Sequence, residues 1–182
     1  MKKRGIAPLV SCRTWVAAVG LILVTLGILF HARYRITIVS GESMKPTLQL
    51  GDILVVDKQA YDRSEPNRGD LVVARDSRGW IVKRIVGLPG EEAEVRDGGL
   101  YINGQLMAEG HQIMPGPLDV EKGTLMDGDF ATLGDNRSIV SALAIHPIVT
   151  KADILGKVVL FLDLPTGAAF GRKIKRIKAL IQ

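Results

Sequence analysis

The distribution of hydrophobic and polar residues divides the chain into three regions. Residues 14–30 form a run of 17 positions without a charged side chain. As an α-helix this run would be about 26 Å long, close to the ~30 Å hydrocarbon core of a bilayer. Shorter hydrophobic runs follow, rich in Val, Ile and Leu and separated by turn residues. In the last segment, residues 170–182, apolar residues recur every three or four positions with basic residues between them, which predicts a short basic amphipathic helix.

The central region predicts a mostly β fold. Gly-Asp, Pro-Gly and Asn-Gly pairs punctuate its hydrophobic runs, as expected for strands joined by tight turns. Residues 107–128 hold two prolines and four glycines and are predicted to form a long loop. The predicted strands are residues 35–39, 52–57, 70–74, 80–86, 92–96, 100–102, 130–133 and 154–161.

We therefore expect four parts along the chain. They are a basic N-terminus (1–13), a transmembrane anchor (14–32), one folded β domain (33–165) and a basic amphipathic tail (166–182). The helix of the tail would either lie on anionic lipid or pack against the domain by its apolar stripe, and the sequence leaves both readings open.

The N-terminal run is predicted to be a retained membrane anchor. The rival is a cleaved signal peptide, which has the same basic and apolar regions but needs small residues at −3 and −1 of its cut site. The residues that follow the run supply only Ala32. Four basic residues precede the run and two follow it closely, which favours a cytoplasmic N-terminus. The chain would then cross the cytoplasmic (inner) membrane once, with its β domain on the extracytoplasmic side.

The charge distribution and the cysteine content exclude one class of binding partner and two kinds of structural site. The 24 basic and 19 acidic residues give a net charge of +5, but nine of the basic residues lie in residues 1–13 and 172–182. The body holds 15 basic and 19 acidic residues, so it lacks the basic surface expected for a nucleic-acid partner. Because Cys12 is the only cysteine, an internal disulfide framework and a cysteine-based zinc site are excluded.

Two residues are candidates for covalent catalysis. Ser43 lies in a turn with glycine and proline, where a serine can present both its hydroxyl and its backbone N–H to a bound carbonyl. Lys83 lies on a predicted strand between aliphatic residues. If that face is buried, desolvation favours its neutral amine; at an exposed sheet edge it would be a solvated lysine. The three histidines, His31, His111 and His146, are scattered and are predicted to lie on the surface or in loops.

Three segments resemble the sequence boxes of the bacterial type I signal peptidases, which are membrane-anchored serine proteases with a Ser/Lys dyad. Ser-Met-Lys-Pro-Thr-Leu at 43–48 is similar to the nucleophile box, and Lys-Arg-Ile-Val-Gly-Leu-Pro-Gly-Glu at 83–91 is similar to the base box. Gly-Asp-Asn-Arg at 134–137 is similar to the third box. One box alone is a weak signal, but all three in the family's order behind an anchor are a strong one.

The resemblance implies a fold and a reaction. The fold is a signal-peptidase-like β domain, and the reaction is cleavage of signal peptides from secretory preproteins after small residues at −3 and −1. Ser43 would be the nucleophile, Lys83 the general base, and the backbone N–H of Ser43 a donor to the oxyanion. No metal or organic cofactor is implied. The expected partners are preproteins and membrane lipid, and the protein is expected to be a monomer.

The resemblance also implies residues around the dyad. The positions that match the family's apolar pocket for the −1 residue are Val39, Met44, Leu48 and Val82. Arg84 and Asp135 match a charged pair that supports the site.

The chain departs from the family pattern at two places. Gly41 stands where many members have a serine that completes the oxyanion hole. After residues 134–137, the family's serine, aspartate and arginine become Val140, Ala142 and Ala144 in an ungapped alignment. Either Ser141, one position later, replaces the serine that hydrogen-bonds the catalytic lysine, or other groups orient Lys83.

These departures leave alternatives open. One is a membrane-anchored β domain that binds signal peptides or other partners with impaired or no catalysis. Another is a peptidase specialised for one pilin or plasmid-encoded substrate. A self-cleaving Ser/Lys repressor of related fold is disfavoured by the anchor and by the lack of a DNA-binding motif.

Overall fold

The computed structural model describes residues 12–76, 79–139, 148–163 and 177–179. The chain divides into two compact units, Met1–Tyr34 and Arg35–Gln182. The described part of the first unit is almost entirely one helix, and the second is built from two β-sheets. The predicted mostly β fold with an N-terminal apolar helix is confirmed.

The helix, α1, runs over Cys12–Arg33. Its residues Thr14–Arg33 have a mean hydropathy of 2.2 over an 18-residue window whose side chains are not buried by the protein. At about 1.5 Å per residue, these 20 residues span roughly 30 Å. The helix is therefore long and apolar enough to cross a bilayer.

The larger sheet has eight strands. They are β1 (Tyr34–Ile38), β2 (Ile53–Asp57), β3 (Leu71–Asp76), β4 (Gly79–Gly87), β9 (Asp129–Leu133), β10 (Ile148–Thr150), β11 (Ile154–Leu162) and β12 (Ile177–Ala179). Their order is β1-β2-β11-β3-β4-β9-β10, with β12 paired to β11. The central strand β3 is buried on both faces, since Val72 packs in one hydrophobic cluster and Val73 in another. Its sequence is therefore a continuous apolar run rather than an alternating one.

The smaller sheet has four strands, β5 (Glu92–Arg96), β6 (Gly99–Ile102), β7 (Gln105–Leu106) and β8 (Val120–Thr124), in the order β7-β6-β5-β8. The predicted turns on either side of β6 have positive φ at both central residues: 48° at Asp97 and 74° at Gly98, 51° at Asn103 and 76° at Gly104. This conformation suits the twist of a two-residue hairpin and requires Asn, Asp or Gly. A third hydrophobic cluster joins β5 and β6 to β9 of the larger sheet.

Four strands were not predicted from the sequence: β7, β8, β10 and β12. Two of them, β8 and β12, lie where a loop and a helix were predicted. The predicted loop 107–128 contains β8, four of whose five residues are exposed, so the strand has no apolar alternation that would reveal it. In the tail, Ile177–Ala179 is a strand rather than part of a helix. It pairs with β11 at Leu160–Leu162, beyond the stretch Ile154–Lys157 that pairs with β3. Residues 177–179 thus pair with the free edge of β11, although their side-chain pattern predicted a helix. The rest of the tail lies outside the described residues.

Candidate active site

Ser43 lies in the turn that joins β1 to β2. The turn closes where the Val39 N–H donates to the Asp52 carbonyl at 2.9 Å. Met44 and Leu48, which flank the serine, are 2 % and 0 % exposed and pack with Val39 in one hydrophobic cluster. Because the buried side chains of Met44 and Leu48 anchor the turn, the half-buried Ser43 has a fixed position on it.

Lys83 lies on β4 and is half-buried. It borders the same groove as Ser43, a cavity of about 460 Å³. The groove is also lined by the end of β1, the start of β4 and the segment that follows β9. The sheet therefore brings together two predicted catalytic residues that are 40 positions apart in the sequence.

Gly134 lies close to both residues. A Cβ atom at this buried glycine would lie 2.4 Å from the Ser43 carbonyl oxygen and 3.3 Å from Lys83 Nζ. The first distance is too short for any real contact between a methyl group and a backbone oxygen. The main chain of Ser43 and the amine of Lys83 thus both approach a position that only glycine can fill.

The turn that begins at Gly134 also makes hydrogen bonds to the segment that carries Ser43. We call this segment, which joins β1 to β2, the nucleophile loop. The Asn136 backbone N–H donates to the Ser43 carbonyl at 2.9 Å, and the Asn136 side-chain amide donates to the Glu42 carbonyl at 3.1 Å. Arg137, which is completely buried, donates from Nε to the Gly134 carbonyl at 2.8 Å. We call residues 134–138 the catalytic-site turn.

Arg84 and Asp135 form a buried two-point ion pair. Nε and Nη2 of Arg84 donate to the two carboxylate oxygens of Asp135 at 2.9 and 2.7 Å. The Thr47 hydroxyl donates to the same carboxylate at 2.5 Å. Burial would raise the pKa of Asp135, but the contacts with Arg84, His111 and Thr47 outweigh it and lower the pKa to about 2. The carboxylate is therefore charged, and it connects β4, the nucleophile loop and the catalytic-site turn.

The residues predicted for the −1 pocket lie in one apolar cluster. Val39, Met44 and Val82 line the groove beside Ser43, whereas Leu48 is fully buried in the same cluster and supports them. The position of Gly41 is open, because a Cβ there would have no heavy atom within 4 Å. The groove thus has an apolar wall and free space next to the serine.

The remaining candidate residues are Ser141 and the three histidines. Ser141 and His146 lie outside the described residues, and His31 is exposed on α1. His111 does lie in a loop, but it is half-buried and its Nε2 is 3.3 Å from Asp135 Oδ1. Neither this contact nor that of Glu109 with Arg137 at 2.6 Å was predicted from the sequence. The sequence offered one indication of the Glu109–Arg137 contact. A buried arginine needs a carboxylate partner, and the segment that follows Arg137 does not supply one.

The described residues contain no group of three or more His, Cys, Asp or Glu side chains that could hold a metal ion. The absence of a cofactor stays a prediction.

Comparison with known proteins identifies the family. A family model described as signal peptidase, peptidase S26, matches residues 12–162. The chain belongs to this signal peptidase family. It is 34% identical over 134 residues to probable signal peptidase I-2 of Synechocystis sp. (strain ATCC 27184 / PCC 6803 / Kazusa), and this match covers 69% of the chain and 60% of that relative. The chain thus spans less than two thirds of that relative's length.

Further signal peptidases are similar at comparable levels. Signal peptidase I T of Bacillus subtilis (strain 168) is 33% identical over 136 residues, which are 68% of this chain and 70% of that protein. A signal peptidase I from Enterococcus faecalis V583, seen in a crystal structure, is 27% identical in sequence to this chain. It aligns with a TM-score of 0.43 over 52% of this chain and 97% of that one.

Replacing Gly134 with alanine is expected to lower the kcat for peptide-bond cleavage about 100-fold while the protein stays folded. The new methyl group must displace the Ser43 carbonyl, and a shift of about 1 Å in a reacting group costs about that much. The measurement is single-turnover cleavage by the full chain in detergent. Gly123→Ala is the matched control, since a Cβ at this glycine has no heavy atom within 4 Å. A Gly134→Ala protein with normal kcat would show that the contact at Gly134 does not position the site.

Proposed function

We propose that this protein is a membrane-anchored serine endopeptidase that removes signal peptides from secretory preproteins. One observation carries the proposal: the main chain of Ser43 and the amine of Lys83 approach the same buried glycine, which lines an apolar groove. Membership of the signal peptidase family supports it.

In the proposed mechanism, the Ser43 hydroxyl attacks the carbonyl carbon of the −1 residue. Lys83, in its neutral form, accepts the hydroxyl proton and then gives it to the leaving amine, which frees the mature protein. The resulting acyl-enzyme is hydrolysed by a water molecule that the same amine deprotonates. The Ser43 backbone N–H donates to the developing oxyanion.

The groove favours small apolar residues at −1. Its wall beside Ser43 consists of Val39, Met44 and Val82, and Met44 is packed on fully buried residues such as Leu48. A tightly packed wall does not retreat for a larger side chain without a cost of about 1–3 kcal/mol. We infer that alanine fits and that leucine or phenylalanine does not.

The proposed location is the cytoplasmic membrane. Residues Thr14–Arg33 are helical and long enough to span it, and the excess of basic residues before the helix favours a cytoplasmic N-terminus. The β domain would then lie on the extracytoplasmic side, where exported preproteins arrive.

The proposed function is tested with purified full-length protein in detergent and a preprotein that has alanine at −3 and −1. We expect a single cut after the −1 alanine, located by mass spectrometry of both products. A matched preprotein with phenylalanine at −1 should be cleaved at least about 10-fold more slowly. A folded protein that binds the first preprotein but cuts neither would contradict the proposal and favour a signal-peptide-binding domain without catalysis.

A further inference from the structure

A strap of chain lies against the catalytic-site turn. The strap comprises residues 107–118, between β7 and β8. The Met114 N–H donates to the Asp135 carbonyl and the Arg137 N–H donates to the Met114 carbonyl, both at 2.8 Å. These two bonds form a parallel bridge between Met114 and Asn136. At Gly116 a Cβ would lie 2.3 Å from the Arg137 carbonyl oxygen, so strap and turn are in direct backbone contact.

The strap also supplies charged groups to the turn. Glu109 Oε2 lies 2.6 Å from Nη2 of Arg137, whose side chain is completely buried. His111 Nε2 lies 3.2 Å from Glu109 Oε2 and 3.3 Å from Asp135 Oδ1, within ion-pair distance of both without a well-aligned hydrogen bond to either. The imidazole is thus shared between a carboxylate of the strap and a carboxylate of the turn.

A buried guanidinium needs a partner of opposite charge, because an unpaired buried cation is strongly destabilising. Within the part of the chain that the structure describes, Glu109 is the carboxylate that contacts Arg137. The segment after the Gly-Asp-Asn-Arg box, where the family has an aspartate and an arginine, holds Ala142 and Ala144 in this chain. In this chain the carboxylate that pairs with Arg137 thus comes from the strap.

We propose that Glu109 and His111 are positioning residues that hold the catalytic-site turn, and through it Ser43 and Lys83, in place of the missing Ser/Asp/Arg cluster. This inference rests on the proposed function. The connection is short: Glu109 pairs with Arg137, which donates to the Gly134 carbonyl, and a Cβ at Gly134 would meet both Ser43 and Lys83.

The charge of His111 gives the strap a pH-dependent component. The carboxylates of Asp135 and Glu109 raise the pKa of His111 above its ordinary value, outweighing burial and the Arg84 cation. A raised pKa means that the contacts favour the protonated imidazole, so its hold on the turn is strongest at low pH and weakens as the pH rises. The charged groups that face His111 or the adjoining cavity are Asp135, Glu109, Arg84, Arg137, Arg68, Asp70 and Lys157.

The first test compares Glu109→Gln with Glu121→Gln in the full chain. Glutamine keeps the shape of Glu109 but removes the charge that faces Arg137, whereas Glu121 is an exposed residue of β8. Well below the melting temperature of each protein, we expect Glu109→Gln to lower kcat about 10-fold with KM unchanged, and Glu121→Gln to behave like the wild type. A Glu109→Gln protein that melts earlier but keeps its kcat would overturn the proposal, since the contact would then serve stability alone.

The second test follows kcat of the wild type and of His111→Asn from pH 5 to pH 9. We expect wild type to exceed His111→Asn about threefold at the lowest pH, and the ratio to approach one as the pH rises through the pKa of His111. A ratio that is constant with pH would overturn the role of the imidazole. An inactive wild type would instead contradict the proposed function, so the two failures are distinguishable.

Discussion

Replacing Ser43 with alanine or Lys83 with methionine is expected to lower kcat by about 1,000-fold or more, with little change in the fold. Alanine removes the attacking oxygen, and methionine keeps most of the aliphatic stem of lysine but removes the amine that accepts the proton. In enzymes whose nucleophile and base act as a unit, losing either one costs at least this much. The measurement is single-turnover cleavage of a preprotein, with circular dichroism to verify folding.

Matched controls are available on exposed parts of the domain. Ser64, whose hydroxyl donates to the Ala60 carbonyl, and Lys122, which pairs with Glu92, are both exposed. Ser64→Ala and Lys122→Met should retain full activity.

The double variant, with Ser43→Ala and Lys83→Met together, separates a dyad from two independent contributions. Because the two groups would act in one step, we expect it to be no slower than the single variants. Full activity of Lys83→Met beside an inactive Ser43→Ala would remove Lys83 as the base but leave the nucleophile. Activity in both single variants would contradict the proposed site altogether.

The strands of the larger sheet were largely predictable because their signals are local. β2, β4 and β11 each combine β-branched residues with flanking turn residues, and their predicted and observed limits differ by one residue at most. β8 gave no such signal, since it exposes four of its five residues and exists through its pairing with β5. The strand in the tail depends likewise on the open edge of β11. Pairing with a distant strand is not visible in a local pattern.

The candidate site was predictable only as far as its sequence boxes extend. Ser43 and Lys83 were singled out by their local context and then by their boxes, and the structure places both on one groove. Apart from the Arg84–Asp135 pair, which the resemblance implied, contacts between distant segments were not accessible, because neither partner carries a mark of the other. Thr47 meets Asp135 across 88 positions, and Glu109 meets Arg137 across 28. The sequence does not distinguish a loop glutamate or histidine that is exposed to solvent from one that is buried against the catalytic-site turn.

Replacing Asp135 with asparagine is expected to destabilise the domain by about 3–5 kcal/mol at pH 7, which is the usual cost of breaking a buried ion pair by removing one partner. Arg84, whose side chain is 10% exposed, would keep its charge without the carboxylate that it contacts at two points. The measurement is urea unfolding of the full chain in detergent, followed by circular dichroism. The double variant Arg84→Met with Asp135→Leu is the control, and it should be more stable than Asp135→Asn because no uncompensated charge remains. A double variant less stable than the single one would show that geometry, rather than charge, accounts for the loss.

The same pair predicts how this stability difference depends on pH. The pKa of Asp135 is about 2 in the folded protein, against an ordinary value of 3.8, so the folded state favours the charged carboxylate. A group with a lowered pKa adds stability above its ordinary pKa and loses it as the pH falls towards the folded value. The advantage of wild type over Asp135→Asn should therefore shrink as the pH falls between about pH 4 and pH 2. An advantage that persists undiminished at pH 2 would mean that the carboxylate acts through its hydrogen bonds in either protonation state, and not as the anionic partner of Arg84.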